Sequence, residues 1–359
     1  MSDITQGGRA PRRGESSPAT ELRAMIFGHV ISQMVATVAR LGLADELASG
    51  PRSSDDLART TGVDPGALAR LLWASVGLGL FVEVGAGEFA LSPVGEWLQS
   101  GERSLRHLAI AMASPGHWRS LERLPDVIAT GRPAPYEVLG MSLWDYYRHN
   151  PEERAAFAAA MGGISAVVGD ELVAHSDLSR FSRIVDVGGS QGILLARLLE
   201  ANPRATGVLF DLPELVSEAD EHLRRRGVAD RVEIVGGDFF SAVPPGGDLY
   251  LLKHILHDWD DEHAVRILER CRLAGGTGST LLVVERVLGP GSDPVARIAD
   301  VLMLTMFGGR ERTEREYESL LEDGGYRLER VVPLSMFAVL EARADGSGVD
   351  AAEGESDLV

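Results

Sequence analysis

The chain has 359 residues, with 35 Lys and Arg against 53 Asp and Glu, a formal net charge of −18. So acidic a chain, with a pI near 4.9, is a poor partner for nucleic acid or for an anionic membrane surface. The length points to two domains rather than one core. The single cysteine, Cys271, excludes an intramolecular disulfide framework and suits a reducing, cytoplasmic compartment.

Residues 1–19 are polar and rich in Gly, Arg and Ser, which reads as a disordered tail and not as a signal peptide. No apolar run approaches the ~18–20 residues of a membrane span. Residues 22–47 carry Met25, Ile26, Val30, Met34, Val38 and Leu41 at helical spacing with few charges opposite, so this helix is expected to be buried nearly all round. Residues 53–91 read as two helices around Gly62-Val63-Asp64-Pro65, followed by two short strands flanking a Gly-Ala-Gly turn, the pattern of a winged helix-turn-helix. A DNA-binding reading fails on charge: across 53–98, Arg59 and Arg70 face Asp55, Asp56, Asp64, Glu83, Glu88 and Glu96, a net −4. The module is expected to be an interaction domain. An uncovered apolar stripe as long as 22–47 is more than a soluble monomer tolerates, and a two-fold homodimer through this region covers it.

Residues 115–163 are expected to link the domains and roof a pocket. Their informative positions are Trp144, Tyr147, and Arg154, Phe157 and Met161 at helical spacing, although a packed helix face explains the apolar ones as well. The segment RIVDVGGSQG (183–192) runs an apolar strand into Asp186 and a tight glycine turn. The dinucleotide fingerprint needs Gly-x-Gly-x-x-Gly, but Ile193 stands where the third glycine belongs. Asp186-x-Gly188-x-Ser190-x-Gly192 instead resembles the first motif of class I S-adenosylmethionine (SAM) methyltransferases, with Ser190 at the usual middle glycine.

Later apolar runs also end in acids. Asp211, about 25 positions after Asp186, is suited to accept from two ribose hydroxyls, and Asp238 to accept from an adenine amino group with Phe239 against the ring. Each acid alone reads equally as a loop cap. Seven strands are expected, at 184–187, 208–210, 232–235, 249–253, 281–285, 328–332 and 337–341, the last inserted antiparallel in a Rossmann-like doubly wound α/β sheet.

From Asp248 the chain reads DLYLLKHILHDWDDEHAVRILERC. Together with DVGG, FDLP (210–213), GGDFF (236–240), VVERVL (283–288) and GGRERTEREY (308–317), it is identified as similar to the caffeate and flavonoid O-methyltransferase family and its bacterial natural-product relatives. The resemblance covers roughly residues 22–343. It implies SAM as methyl donor, S-adenosylhomocysteine as product, no metal, a phenolic hydroxyl of an aromatic, polyketide-type metabolite as acceptor, and dimerisation through the N-terminal module. It divides the chain into tails at 1–19 and 344–359, a winged-helix-like dimerisation domain at 20–113, linking helices at 114–175 and the SAM-binding domain at 176–343.

Residue by residue, the resemblance places His257 as general base with Glu285 and Glu311 flanking it, and Gly188, Asp211, Asp238, Phe239, Lys253 and Arg154 at the cofactor. Phe157, Met161, Asp258, Trp259, Met303, Met306 and Phe307 fall on the acceptor side. A histidine has a pKa near 6.5, close to operating pH, and an acid behind it orients the ring and stabilises the imidazolium. The run Asp258, Asp260, Asp261, Glu262 reads in itself as an acidic helix start. His254, His257 and His263 lack the spacing of a metal cluster. The aliphatic and aromatic side chains at Met306 and Phe307, where plant members often place a polar anchor, imply a large, flat, apolar acceptor. Some bacterial relatives use bound SAM for hydroxylation, decarboxylation or pericyclic chemistry, and the retained His257, Glu285 and Glu311 argue against that alternative.

Overall fold

The computed structural model describes residues 17–217 and 219–345, and the chain divides into two compact units with the boundary between Ala113 and Ser114. The linking helices expected at 114–175 belong to the second unit.

In the first unit the expected single helix at 22–47 is three. Pro18–Ile26 and Gly28–Arg40 meet at a 54° bend around Phe27, and Gly42, in the left-handed region at φ +65°, starts the short helix Leu43–Glu46. Glycine at 28 and 42 weakens the helix where the apolar spacing alone reads straight through. The expectation of burial nearly all round is also corrected for this chain alone. Pro18–Ile26 has no buried residue, and Leu22, Ile26, Phe27 and Met25 (74% exposed) face outward. Residues 17–19 are ordered, with Ser17 capping the helix; the rest of the expected N-terminal tail lies outside the described residues.

The winged module follows its local signals. Ser53 accepts from Asp56 N–H (3.1 Å) to cap Ser54–Thr61, and Asp64 accepts from Ala67 N–H (2.7 Å) to cap Pro65–Gly77, with proline in the first turn. Strands β1 (Arg52–Ser53), β2 (Phe81–Gly85) and β3 (Glu88–Leu91) form an antiparallel sheet in the order β1-β3-β2. Leu57, Leu68, Leu72, Phe81 and Phe89 fill its core.

The second unit is built on seven strands: β4 (Arg183–Val187), β5 (Thr206–Asp211), β6 (Val232–Gly236), β7 (Leu249–Lys253), β8 (Thr280–Glu285), β11 (Tyr326–Pro333) and β12 (Ala338–Ala344). Short β9 (Val287–Leu288) and β10 (Arg312–Thr313) pair apart from them. The order is β11-β12-β8-β7-β4-β5-β6, and β12 runs antiparallel to both neighbours while the others are parallel, as expected for a Rossmann-like methyltransferase sheet. Because β5 and β7 leave β4 on opposite sides, the carboxyl ends of β4 and β7 border the crevice where a ligand of a doubly wound sheet binds. Ala344, expected in the C-terminal tail, is buried and paired; residues 346–359 lie outside the described residues.

One helix, Pro151–His175, has the length and hydropathy to cross a membrane, which corrects the expectation that no run approaches that length. Its apolar residues serve the core instead: Ala160, Ala166, Val168 and Leu172 are buried against the helix Ile193–Ala201. The approach is close, since a Cβ at Gly162 would lie 2.4 Å from Ile193 Cδ1.

Candidate active site

Leaving β4, the chain turns through Gly188 (φ +75°), Ser190 (φ +52°) and Gly192 (φ +74°). Ser190 thus takes the left-handed backbone that explains glycine at this place in related motifs. Asp211 closes the turn from the end of β5: Oδ2 accepts from Ser190 N–H at 2.8 Å and Oδ1 from Leu212 N–H at 2.7 Å. Burial raises the Asp211 carboxyl to about 6. Asp186, fully buried at the end of β4, is pushed by burial to about 7 against the pull of Lys253, and its Oδ2 has no hydrogen-bond partner. Lys253 closes this side, lowered by burial to about 8 although Glu285 and Asp186 oppose the shift. A crevice edge with two buried acids, one of which has an unpartnered oxygen, and a half-buried amine fits a cationic nucleoside ligand.

Asp238 is exposed and accepts from Phe240 N–H at 2.9 Å, so it caps its own loop. Phe239 and Phe240 are edge to face at 4.9 Å. Trp259 lies against them, 4.7 Å from Phe240 and 6.1 Å from Phe239, with His263 stacked at 5.9 Å. Trp259, expected on the acceptor side, thus stands with the Phe239 group.

Those residues do come together. Phe157 stacks on Tyr147 (5.1 Å) and Trp144 on Phe307 (5.1 Å), with Met306 buried among them. Met303 is buried and Met161 half-buried. His117, which no motif pointed to, is buried in the same cluster. It stacks on Phe157 at 5.9 Å, with Nδ1 3.3 Å from the Tyr147 hydroxyl, and burial lowers it to about 4. The wall therefore holds a polar pair that the apolar reading of Met306 and Phe307 did not foresee. Arg154 is half-buried in the first turn of Pro151–His175. Though burial opposes it, hydrogen bonds and the charges of Arg148 and Arg154 hold the Glu214 carboxyl below its usual value.

His257 is on the one-turn segment Leu256–Asp258 that follows β7. Its Nδ1–H donates to Glu311 Oε1 at 3.1 Å, with Glu285 Oε2 at 3.5 Å. Glu285, at the end of β8, accepts from the N–H groups of Ile255, Leu256 and His257 at 2.9, 2.9 and 3.4 Å. Asp258 is not part of the helix start, which begins with Asp260 as cap. It is buried, with Oδ1 3.6 Å from His257 Nε2. Burial raises Asp258 to about 7, against the pull of His257. Burial by itself would lower His257, but Glu285, Asp258 and Glu311 outweigh it and raise the ring to about 9, well above the ordinary value expected from sequence.

The donor atoms of His257, Glu285 and Glu311 lie within 4.8 Å of one another, close enough to grip a divalent ion. The short Nδ1 contact to Glu311 is equally that of a ring oriented by a carboxylate. His254 and His263 stay outside this group, the first against Phe337 (4.4 Å) and the second bonded to Asp260 (2.7 Å).

The profile of the O-methyltransferase domain matches residues 119–327, and that of the O-methyltransferase dimerisation domain residues 24–101. The chain belongs to the O-methyltransferase family. Phenazine O-methyltransferase PhzM of Lysobacter antibioticus is 36% identical to this methyltransferase over 92% of its chain and 98% of the relative. The mitomycin biosynthesis 6-O-methyltransferase of Streptomyces lavendulae is 39% identical over 82% and 84%. A solved neighbour, the O-methyltransferase NcsB1 from neocarzinostatin biosynthesis in complex with SAM and 2-hydroxy-5-methyl naphthoic acid, superposes with a TM-score of 0.75 at 33% identity, covering 88% of this methyltransferase and 96% of that chain. SAM is the cofactor of the family. Sequence reasoning missed His117, for which no local signal exists, and Arg312, whose only signal is its place in GGRERT.

Proposed function

We propose that this methyltransferase transfers a methyl group to a phenolic hydroxyl of an aromatic secondary metabolite, of polyketide type, with His257 as general base. The observation that carries the proposal is the buried His257 ring held at Nδ1 by Glu311, with Glu285 and Asp258 also within 3.6 Å of its nitrogens. When bound, SAM supplies an electrophilic methyl group, and Gly188, Asp211, Asp238, Phe239, Lys253 and Arg154 are the residues assigned to hold it. With Nδ1–H committed to Glu311, Nε2 is the nitrogen that takes the phenol proton. Glu285 and Glu311 stabilise the imidazolium so formed, and the stack of Trp144, Tyr147, Phe157 and Phe307 supports a flat acceptor. The test is incubation with labelled SAM and a panel of hydroxylated aromatic polyketides and phenolic acids, with mass spectrometry of the products. An added methyl on a phenolic oxygen is expected; hydroxylated or decarboxylated products in its place would overturn the reading.

The acids assigned to the cofactor give a binding prediction. Losing a buried hydrogen bond to a ligand costs about 1–3 kcal/mol, so Asp211→Ala is expected to weaken SAM binding by roughly ten- to a hundred-fold. Asp238, already exposed, is expected to give the smaller effect. Calorimetry with unchanged SAM affinity in both variants would contradict the assignment.

A pH dependence follows from His257. A histidine raised to about 9 stays protonated below that value, so the base form grows as pH rises through it. We expect kcat/KM to keep climbing between pH 7 and about 9, and Glu311→Gln, which removes one of the charges, to move this limb to lower pH. A wild-type profile already level above pH 6.5 would refute it. The same raised value adds stability that is fully present below the unfolded pKa near 6.5 and fades towards pH 9.

We also infer a cytoplasmic homodimer through the dimerisation domain. Met25 and Ile26 are exposed in the single chain, so Met25→Glu with Ile26→Glu costs the protomer's own core nothing. Light scattering is expected to show the dimer mass for the parent and the monomer mass for this variant.

A further inference from the structure

We infer that Arg312 is a positioning residue for the reaction: it holds the turn that carries His257 in register with Glu285 and Glu311. The inference rests on His257 being the base. The turn after β7 is gripped from two sides. On one side, His254 adopts a left-handed backbone (φ +56°) and Ile255 a right-handed one (φ −116°, ψ −52°). Such an alternation aims successive N–H groups into a small concavity that suits an anion. Here the anion is Glu285 Oε1, which receives three of them at 2.9–3.4 Å.

On the other side the carbonyls are taken by Arg312, which is wholly buried. Its Nη1 donates to Leu256 O and its Nη2 to Trp259 O, both at 2.9 Å, so the two ends of the guanidinium bracket His257 and Asp258. Nε and Nη2 also donate to Asp261 Oδ1 at 3.0 and 2.8 Å, and the Tyr317 ring lies 5.9 Å from the guanidinium carbon. Arg310 binds the other Asp261 oxygen at 2.7 Å, which fixes the acid that orients the fork. Burying a guanidinium is unfavourable unless its donors are satisfied, and these are satisfied by the peptide groups of the turn that carries the base. Only a rigid planar fork reaches both carbonyls at once; a lysine carries the charge on a single point. The residue before it, Glu311, bonds the His257 ring itself, so two neighbours in sequence set the ring and its backbone separately.

The test is Arg312→Lys, made in the wild-type chain and in His257→Ala. A misplacement of about 1 Å costs up to ~10²-fold, so in the wild-type background kcat is expected to fall roughly ten- to a hundred-fold. SAM affinity should stay close to wild type, while the thermal midpoint is expected to fall, because buried carbonyls lose their donor. In the His257→Ala background the same change should leave the residual rate unaltered, because both residues act through one group. Wild-type kcat in Arg312→Lys, or an equal fall in both backgrounds, would overturn the inference. A His257→Ala enzyme at wild-type rate would remove the base assignment and this inference with it, whereas a slow His257→Ala beside a normal Arg312→Lys would remove this inference alone. Should Arg312→Lys fail to fold, Asp261→Asn puts the same question from an exposed position. It is expected to lower kcat several-fold, again only when His257 is present; wild-type kcat there would overturn the inference.

Discussion

Replacing His257 with alanine is expected to lower kcat by about two to four orders of magnitude while SAM affinity stays near wild type. The first half follows from the ring's place: it is the titratable nitrogen base held among Glu285, Glu311 and Asp258, and its removal leaves the acceptor hydroxyl without a group to take its proton. The second half follows from the side chains assigned to the nucleoside, Asp211 at the end of β5 and Asp238 in the loop after β6, which make no bond to the ring. Steady-state kinetics and calorimetry on the same preparation separate the two. A catechol or an unusually acidic acceptor is the informative control, because a phenol that ionises on its own needs the base least. Near wild-type turnover of an ordinary phenol would take His257 out of the mechanism.

Gly309→Ala is expected to damage the site as well, without altering any polar side chain. A Cβ there would lie 2.1 Å from His257 O, 2.4 Å from Asp258 C and 2.7 Å from Trp259 N. All three are backbone atoms, so no flexible side chain can swing aside and the turn that carries the base must move as a whole. A displacement on the order of 1 Å costs up to ~10² in rate, and overpacking costs typically 1–3 kcal/mol of stability. We therefore expect kcat to drop by about that factor and the thermal midpoint to fall, with SAM affinity less affected. A fully active Gly309→Ala enzyme would mean that the turn tolerates displacement, and would weaken the positional account of Arg312 as well.

The parts of this molecule legible in its sequence are those where a local pattern has one structural meaning. Apolar runs ending in Asp186, Asp211 and Glu285 read as strands with acids at their carboxyl ends, and that is where the acids are. The resemblance supplied the pairing of His257 with Glu311 across 54 positions, which spacing alone does not contain. The rest depended on contacts no local pattern encodes. Asp258 reads as one more acid in a helix start, and only its burial beside Nε2 separates it from Asp260 and Asp261. Arg312 stands in a run of charges that looks solvated, while its carbonyl partners lie 53 and 56 positions away. The bend at Phe27 leaves the apolar spacing of 22–47 uninterrupted, so periodicity passes over it.

Cys271 has a practical consequence. It is wholly buried in the helix Asp261–Gly275, and burial pushes its thiol up to about 12, so almost no thiolate is available at neutral pH. Towards maleimides and other thiol reagents the native chain therefore behaves as cysteine-free. One cysteine introduced at an exposed position outside the dimerisation domain, such as Arg224, becomes the sole reactive handle, and a donor and an acceptor dye placed there on separate batches would report subunit exchange in real time by energy transfer, with no purification tag or further mutation.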